Sequence, residues 1–388
     1  MSTVVHASLS WFPLVPRPRP SCRPLKARVA ELAALADDME RGTRQECVTR
    51  AAELLNKAAL IASDCGMPML TRELCQRQYE LFAQSAPLPG WAVRLALLPV
   101  LNIPRQLIRD GRPNDAHALL QALHHAALGR TTCAADGMSI DFGTLTTAAD
   151  GHREASTLTW TALLADGARA LAHAGRWAEA AERATAHRGI GIRLLDGRQA
   201  LILALLTSGH PIEAAAATEE AEPVHPWEHT VRAILRVLCQ RVGGGAPGPA
   251  TVTMLAAACT LVQALDPATV AARARIGLVA YALADPGDAV LASALRDVLI
   301  ASASTDGYAA RDLLASPSMS NAVTSAQRME LEALVRKCGL DAGTIPRRFH
   351  SQLADMTDRA ACTLTLRCRD WQDDELATAG NAPHAPDR

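Results

Sequence analysis

Two short strings, Gly175-x-x-x-Glu179-Ala180 and Gly209-x-x-x-Glu213-Ala214, stand 34 residues apart in this chain. A recurrence of that length holds one helix, a tight turn and a second helix. Such a hairpin cannot bury its apolar face alone and must stack on a neighbour of the same kind. The spacing therefore speaks to architecture before chemistry. Composition agrees with it. Of the residues 49% are hydrophobic but only 3% aromatic, so the core must be aliphatic and rich in alanine. Small side chains let helices approach closely, whereas a β-sandwich draws on β-branched and aromatic residues.

The chain divides by its punctuation. Residues 1–24 interleave Pro13, Pro16, Pro18, Pro20 and Pro24 with Arg17, Arg19 and Arg23, a pattern that favours extended backbone and predicts a disordered leader. Helical periodicity fills 25–242 and is strongest at 51–63, where Leu54, Leu55, Ala58, Ala59 and Ala62 share a face. Turns follow one grammar, with Gly just past one helix and Pro at the start of the next, as at Gly66 and Pro68. Residues 129–153 break the rhythm. There Asp136-Gly137 and Asp141-Phe142-Gly143 flank the alternating Met138-Ser139-Ile140, which reads as a small hairpin or an ordered loop. The Gly/Pro run at 243–249 reads as a linker and domain boundary. Beyond it a C-terminal helical domain is expected over 250–369, with helices at 251–264, 267–284, 288–303, 307–315, 322–338 and 346–369. A disordered tail is expected at 370–388.

The central stretch resembles the tetratricopeptide family. Ala168 and Leu171 stand at its small and apolar positions in a first helix, Gly175 at the turn, and Ala180 and Ala184 on the second helix. Leu201, Leu205, Gly209, Ala214, Ala221 and Pro226 follow in the next unit. Ile202 and His187 depart from the family pattern, and the specific match covers roughly 70 residues. The resemblance implies an all-α fold, an α-α superhelix of tetratricopeptide-like solenoid type, followed by the smaller C-terminal helical domain. It also implies a concave groove lined by the first helix of each unit, where a protein or peptide partner docks. The family's groove positions fall on Asn102, Arg105 and Arg109, on Arg169 and His173, and on Asp196 and Gln199. Arg105 and Arg169 occupy equivalent points, which suits a carboxylate-bearing partner. The helical pairs are also similar to the repeat portions of actinobacterial regulators. No DNA-binding head is legible in residues 1–50, so that likeness implies a bacterial accessory or regulatory factor serving a peptide or specialised-metabolite pathway.

Charge and motifs narrow the chemistry. The 39 basic residues nearly balance 40 acidic ones, which argues against a dedicated nucleic-acid binder. Ten cysteines are scattered with no C-x-x-C, so no metal or cofactor is expected, and a reduced, cytoplasmic setting fits. No stretch is apolar enough for a membrane span. His187-Arg188-Gly189-Ile190-Gly191-Ile192-Arg193 fails both phosphate-loop patterns. His225 and His229 stand four apart, but Pro226 between them breaks the shared helical face and no third ligand is evident. No nucleophile elbow or metalloprotease motif is present, so no catalytic residue is assigned and a non-enzymatic adaptor or scaffold is expected. The alternative is an all-helical enzyme or small-molecule binder with its site at the 129–153 insertion, using Asp136, Asp141 and His152. Stacked units can also pair end to end as a homo-oligomer.

Overall fold

The computed structural model describes residues 12–16, 19–246 and 248–379, the last ten of these as backbone only. Among the described residues lie 16 α-helices and a single two-stranded antiparallel sheet, so the protein is all-α. The chain forms two compact units, each built from two separated segments. Unit 1 comprises residues 1–24 and 164–340, and unit 2 comprises 25–163 and 341–388.

Unit 2 holds α1 (Leu25–Asp38), α2 (Arg44–Asp64), α3 (Pro68–Ala83), α4 (Gly90–Arg109) and α5 (Pro113–Gly129). The hairpin β1 (Thr132–Ala135) and β2 (Met138–Asp141) follows, then the first part of α6 (Ala149–His173) and finally α16 (Arg347–Ala379). Consecutive helices from α1 to α5 pack on one another, and α16 returns to lie against α1, α2 and α3. Its buried stripe of Leu353, Met356, Ala360, Leu364 and Cys368 follows helical spacing, which is why it seeks an apolar partner. The approach is fixed by backbone bonds: Asp341 and Gly343 N–H donate to the Asp64 and Cys65 carbonyls at 2.8 Å each.

Unit 1 holds the remainder of α6, then α7 (Trp177–Ala186), α8 (Asp196–Thr207), α9 (Pro211–Glu219), α10 (Pro226–Val242) and α11 (Pro249–Val262). It continues with α12 (Val270–Ala282), α13 (Ala289–Ala303), α14 (Gly307–Ala315) and α15 (Ser325–Cys338). Here α8, α10, α12 and α14 pack successively side by side, while α9, α11 and α13 fill the intervening places in sequence. One apolar cluster runs through them and includes Leu203, Ile234, Leu238, Leu255, Leu278, Leu299 and Leu313.

Five of the turns are the same turn. Gly66, Gly111, Gly175, Gly209 and Gly244 have φ of 72°, 73°, 70°, 80° and 77°. In each, the next residue donates its N–H to the carbonyl five positions upstream. The pairs are Met67 to Ala62, Arg112 to Leu107, Arg176 to Leu171, His210 to Leu205 and Gly245 to Gln240, at 2.8–3.0 Å. A residue without Cβ in the left-handed region, followed by this bond, satisfies the carbonyls that a helix end leaves open.

Three expectations are corrected. The 243–249 segment is no domain boundary: Gly244 is the fifth turn, 35 residues after Gly209, and α10 and α11 on its two sides pack together in one core. Pro247 lies outside the described residues. Residues 250–369 are no separate domain either, because 250–340 continue unit 1 and α16 belongs to unit 2. The leader is packed where it is described. Phe12, Leu14 and Cys22 are buried, the apolar side chains among the prolines having found apolar surface in unit 1. The rest of the expected leader, 1–11 and 17–18, lies outside the described residues. So does 380–388 of the expected tail, whose start at 370 falls inside α16.

Candidate functional site

The leader lies on a built site in unit 1. Its residues 12–16 and 19–24 are outside regular structure, so their backbone groups need partners from elsewhere. Asp196, the first residue of α8, accepts the Val15 N–H on Oδ1 at 3.0 Å. Arg169 of α6 donates from Nη2 to the Val15 carbonyl. Two side chains from two helices thus satisfy both backbone polar atoms of one residue, as a neighbouring strand would. The flanking Phe12 and Leu14 belong to the same apolar cluster as Ala168, Trp177, Leu194 and Leu203. Leu14 is 1% exposed and sits at φ 54°, in the left-handed region that a leucine rarely adopts.

Further along, the Arg19 N–H donates to the Ala268 carbonyl at 2.9 Å, just before α12. The Arg19 guanidinium lies 3.5 Å from the ring centroid of Tyr308 on α14, a cation–π arrangement. A second backbone-reading point follows at Cys22. Its N–H donates to Asp306 Oδ2 at 2.7 Å, and its carbonyl accepts from Gly307 N–H at 2.9 Å and from Cys338 Sγ at 3.2 Å. Asp306 is fully buried and also caps α14, its Oδ1 accepting from Tyr308 and Ala309 N–H at 2.9 and 3.0 Å.

The charges nearby are set by neighbours. Arg275 of α12 holds Asp312 of α14 by two bonds, at 2.8 and 3.1 Å. His173 keeps an accessible edge, yet packing around its ring, with the cations of Arg275 and Arg169, pushes its pKa down. Neutral imidazole is therefore its form at neutral pH. In the connection to α8, Arg193 pairs with Glu228, a buried carboxylate in the first turn of α10. Burial raises the pKa of Glu228, but Arg193 and the His225 N–H outweigh that and hold it low.

The residues predicted to line a groove divide in two. Arg169 and Asp196 meet on the leader, and His173 lies close to Arg169. Gln199 does not line it: it is fully buried, and its Nε2 donates to the Leu194 carbonyl at 2.6 Å. It ties the preceding connection to α8, and Oε1 has no hydrogen-bond partner among the described residues. On α4, Asn102 and Arg109 reach α2, while Arg105 bonds Asn102 on its own helix. Asn102 Nδ2 donates to Asn56 Oδ1 at 2.7 Å, and Asn102 Oδ1 accepts from Arg105 Nη1 at 3.0 Å. Arg109 bonds Ser63 and lies 3.3 Å from the buried Asp64, which also pairs with Arg28 at 2.6 Å. These polar side chains join two helices of unit 2.

The insertion is a packed hairpin. Asp136-Gly137 forms its turn with positive φ at both residues, as a two-residue hairpin requires. Cys133, Ala135, Met138 and Ile140 are buried on one face. Asp136 pairs with Arg72 at 2.8 Å. Asp141 accepts the Gly143 N–H at 2.9 Å, which lowers its pKa, and His152 is lowered by burial and by Arg130. Asp136 and Asp141 are thus held by local structure. His225 precedes α10 as its N-cap while His229 lies within it, and no group of three or more potential ligands is close enough to hold a metal among the described residues. No helix of the described residues is long and apolar enough to cross a membrane.

Comparison with protein families, characterised proteins and solved structures finds no match to this chain. The residues that sequence reasoning overlooked are Phe12, Leu14, Val15, Asp306 and Tyr308. The signal was present in the apolar Trp11-Phe12-Pro13-Leu14-Val15, which sits inside an otherwise polar, proline-rich segment.

Proposed function

We propose that this chain is a non-enzymatic helical-repeat protein that binds an extended segment of a partner protein or peptide in unit 1 and works as an adaptor or regulatory factor. The observation that carries the reading is the pair Arg169 and Asp196, which together hold both backbone polar atoms of Val15, a residue outside helix and strand. Backbone contacts give affinity to any extended chain, and side-chain pockets beside them give selectivity. The recurring turn and the side-by-side succession of α8, α10, α12 and α14 support a tetratricopeptide-like solenoid. In it, alternate helices line the face that holds the peptide. The near balance of charge and the absence of a long apolar helix among the described residues fit a protein partner better than nucleic acid or lipid.

Selection of binders from a displayed random-peptide library on the full chain tests this. Arg169→Ala and Asp196→Ala should each weaken a selected peptide by about tenfold or more, as expected for a lost charge-assisted bond. Arg105→Ala should leave it unchanged. Selected peptides that are indifferent to both changes in unit 1 would remove this site from the function.

A further inference from the structure

We propose that residues 12–16 and 19–22 are an internal occupant of the partner site, and that they disclose its ligand. That ligand would be an extended, proline-punctuated segment with bulky apolar residues three and one positions before the clamped residue, and a cation four after it. The inference rests on the peptide-binding reading above and adds the ligand's chemistry and a gate.

Four observations converge. The leader's backbone is read at two points, Val15 and Cys22, by side chains and an N–H drawn from α6, α8, α14 and α15. Phe12 and Leu14 bury the apolar side chains that precede the first point. Arg19 places its guanidinium on Tyr308 four residues after it. Leu14 holds a left-handed backbone while fully buried, a conformation that survives only where surrounding contacts fix it. A segment built merely to fill space would have no need of a strained leucine and two backbone clamps. One that must leave when a better ligand arrives is served by internal strain.

The occupant is tethered, so it competes at an effective concentration on the order of 1 mM. A free peptide of the same sequence with an intrinsic Kd of about 10 μM would then bind the resting protein roughly 100-fold more weakly than a protein whose leader is displaced. A natural partner must improve on the leader, and a ligand with unstrained backbone at the Leu14 position does so.

The experiment uses the full chain and a fluorescein-labelled peptide spanning residues 10–24 of this sequence. Leu14→Asp places a charge in the buried apolar site and should expel the leader, and Phe12→Ala should loosen it by degrees. Circular dichroism checks that the helices persist. Amide exchange read by mass spectrometry should show the amides of Val15 and Cys22 protected in the parent and open in Leu14→Asp. Peptide affinity by fluorescence polarisation should rise about 100-fold in Leu14→Asp and by an intermediate factor in Phe12→Ala, and Arg169→Ala in the Leu14→Asp background should abolish the gain. Equal affinity for parent and variants would overturn the gate while leaving a peptide site in place. An open leader without binding of this peptide, where library-selected peptides still bind, would overturn the ligand assignment alone. Continued protection of the Val15 and Cys22 amides in a Phe12→Asp/Leu14→Asp double variant would overturn the proposal, since a displaceable occupant must leave once both anchors are charged.

Discussion

Replacing Arg193 by alanine should destabilise unit 1 by about 2–3 kcal/mol at neutral pH. The Glu228 side chain is 0% exposed, and its carboxylate is held by Arg193, whose own side chain is 35% exposed, and by the His225 N–H at 3.2 Å. Removing one partner of a buried pair strands a charge, at a typical cost of about 3–5 kcal/mol. Solvent reaches the arginine side here, which places the expected loss at or below the lower end. For a domain of this size each kcal/mol moves Tm by about 2–4 °C, so scanning calorimetry should show a fall of about 4–12 °C.

The pH dependence sharpens this expectation. Glu228 has its folded pKa depressed below 4.5, so its contribution is present above that value and fades as pH falls through the folded pKa. In Arg193→Ala, burial acts almost unopposed and lifts the carboxyl's pKa, so the folded state takes up a proton more readily. The gap between parent and variant should therefore be widest at pH 7 and narrow at pH 4. Glu228→Gln should lose most of its sensitivity to Arg193→Ala in a double-mutant cycle. A fall under about 2 °C, or the same fall at both pH values, would refute the reasoning.

Gly197→Ala should cost about 1–3 kcal/mol in urea unfolding, because a Cβ there would stand 2.4 Å from the Gly189 carbonyl oxygen. Gly191→Ala, with nothing within 4 Å of the added carbon, should change stability by less than about 0.5 kcal/mol. In unit 2, Arg28→Ala leaves the buried Asp64 still facing Arg109 at 3.3 Å and should cost about 2–3 kcal/mol, less than the roughly 3–5 kcal/mol of a fully stranded charge, measured by the denaturation midpoint. Burial pushes the Cys75 and Cys368 thiols up to about 12, and Cys65 and Cys239 up to about 11. A thiol reagent at pH 8 should therefore label the exposed Cys362 quickly in the native protein and all ten cysteines after denaturation. Rapid native labelling of Cys75 would contradict the packing around it.

The helices were legible because their ends are chemically marked. Expected spans such as 307–315 and 322–338 lie close to Gly307–Ala315 and Ser325–Cys338, since glycine past one helix and proline or a hydroxyl cap before the next act locally. Gly244 was misread for a related reason. Its neighbours Gly243, Gly245, Gly248 and Pro249 give the look of a linker, and only the 35-residue distance from Gly209 betrays a turn. The leader was misread because five prolines outweighed Phe12 and Leu14 in composition, whereas burial depends on the surface those two side chains meet. Arg169 and Asp196 could be picked from their helix positions. The pairing of Asn102 and Arg109 with Asn56 and Ser63 could not, since nothing local to α4 specifies a partner some 46 residues earlier.

The interleaving of the two units sets an order of events during synthesis. Residues 25–163 leave the ribosome first, but α16, which covers α1, α2 and α3, follows only after about 180 further residues, some 10–35 s at usual elongation rates. The leader waits longer still, because Cys22 meets Cys338 across 316 positions. Until α16 emerges, then, the face of α2 that it covers stays open, and the leader's first clamp forms only once Arg169 and Asp196 are made. The newborn chain should engage chaperones early, and a truncation just before residue 341 should leave unit 2 without its closing helix while unit 1 is complete in sequence.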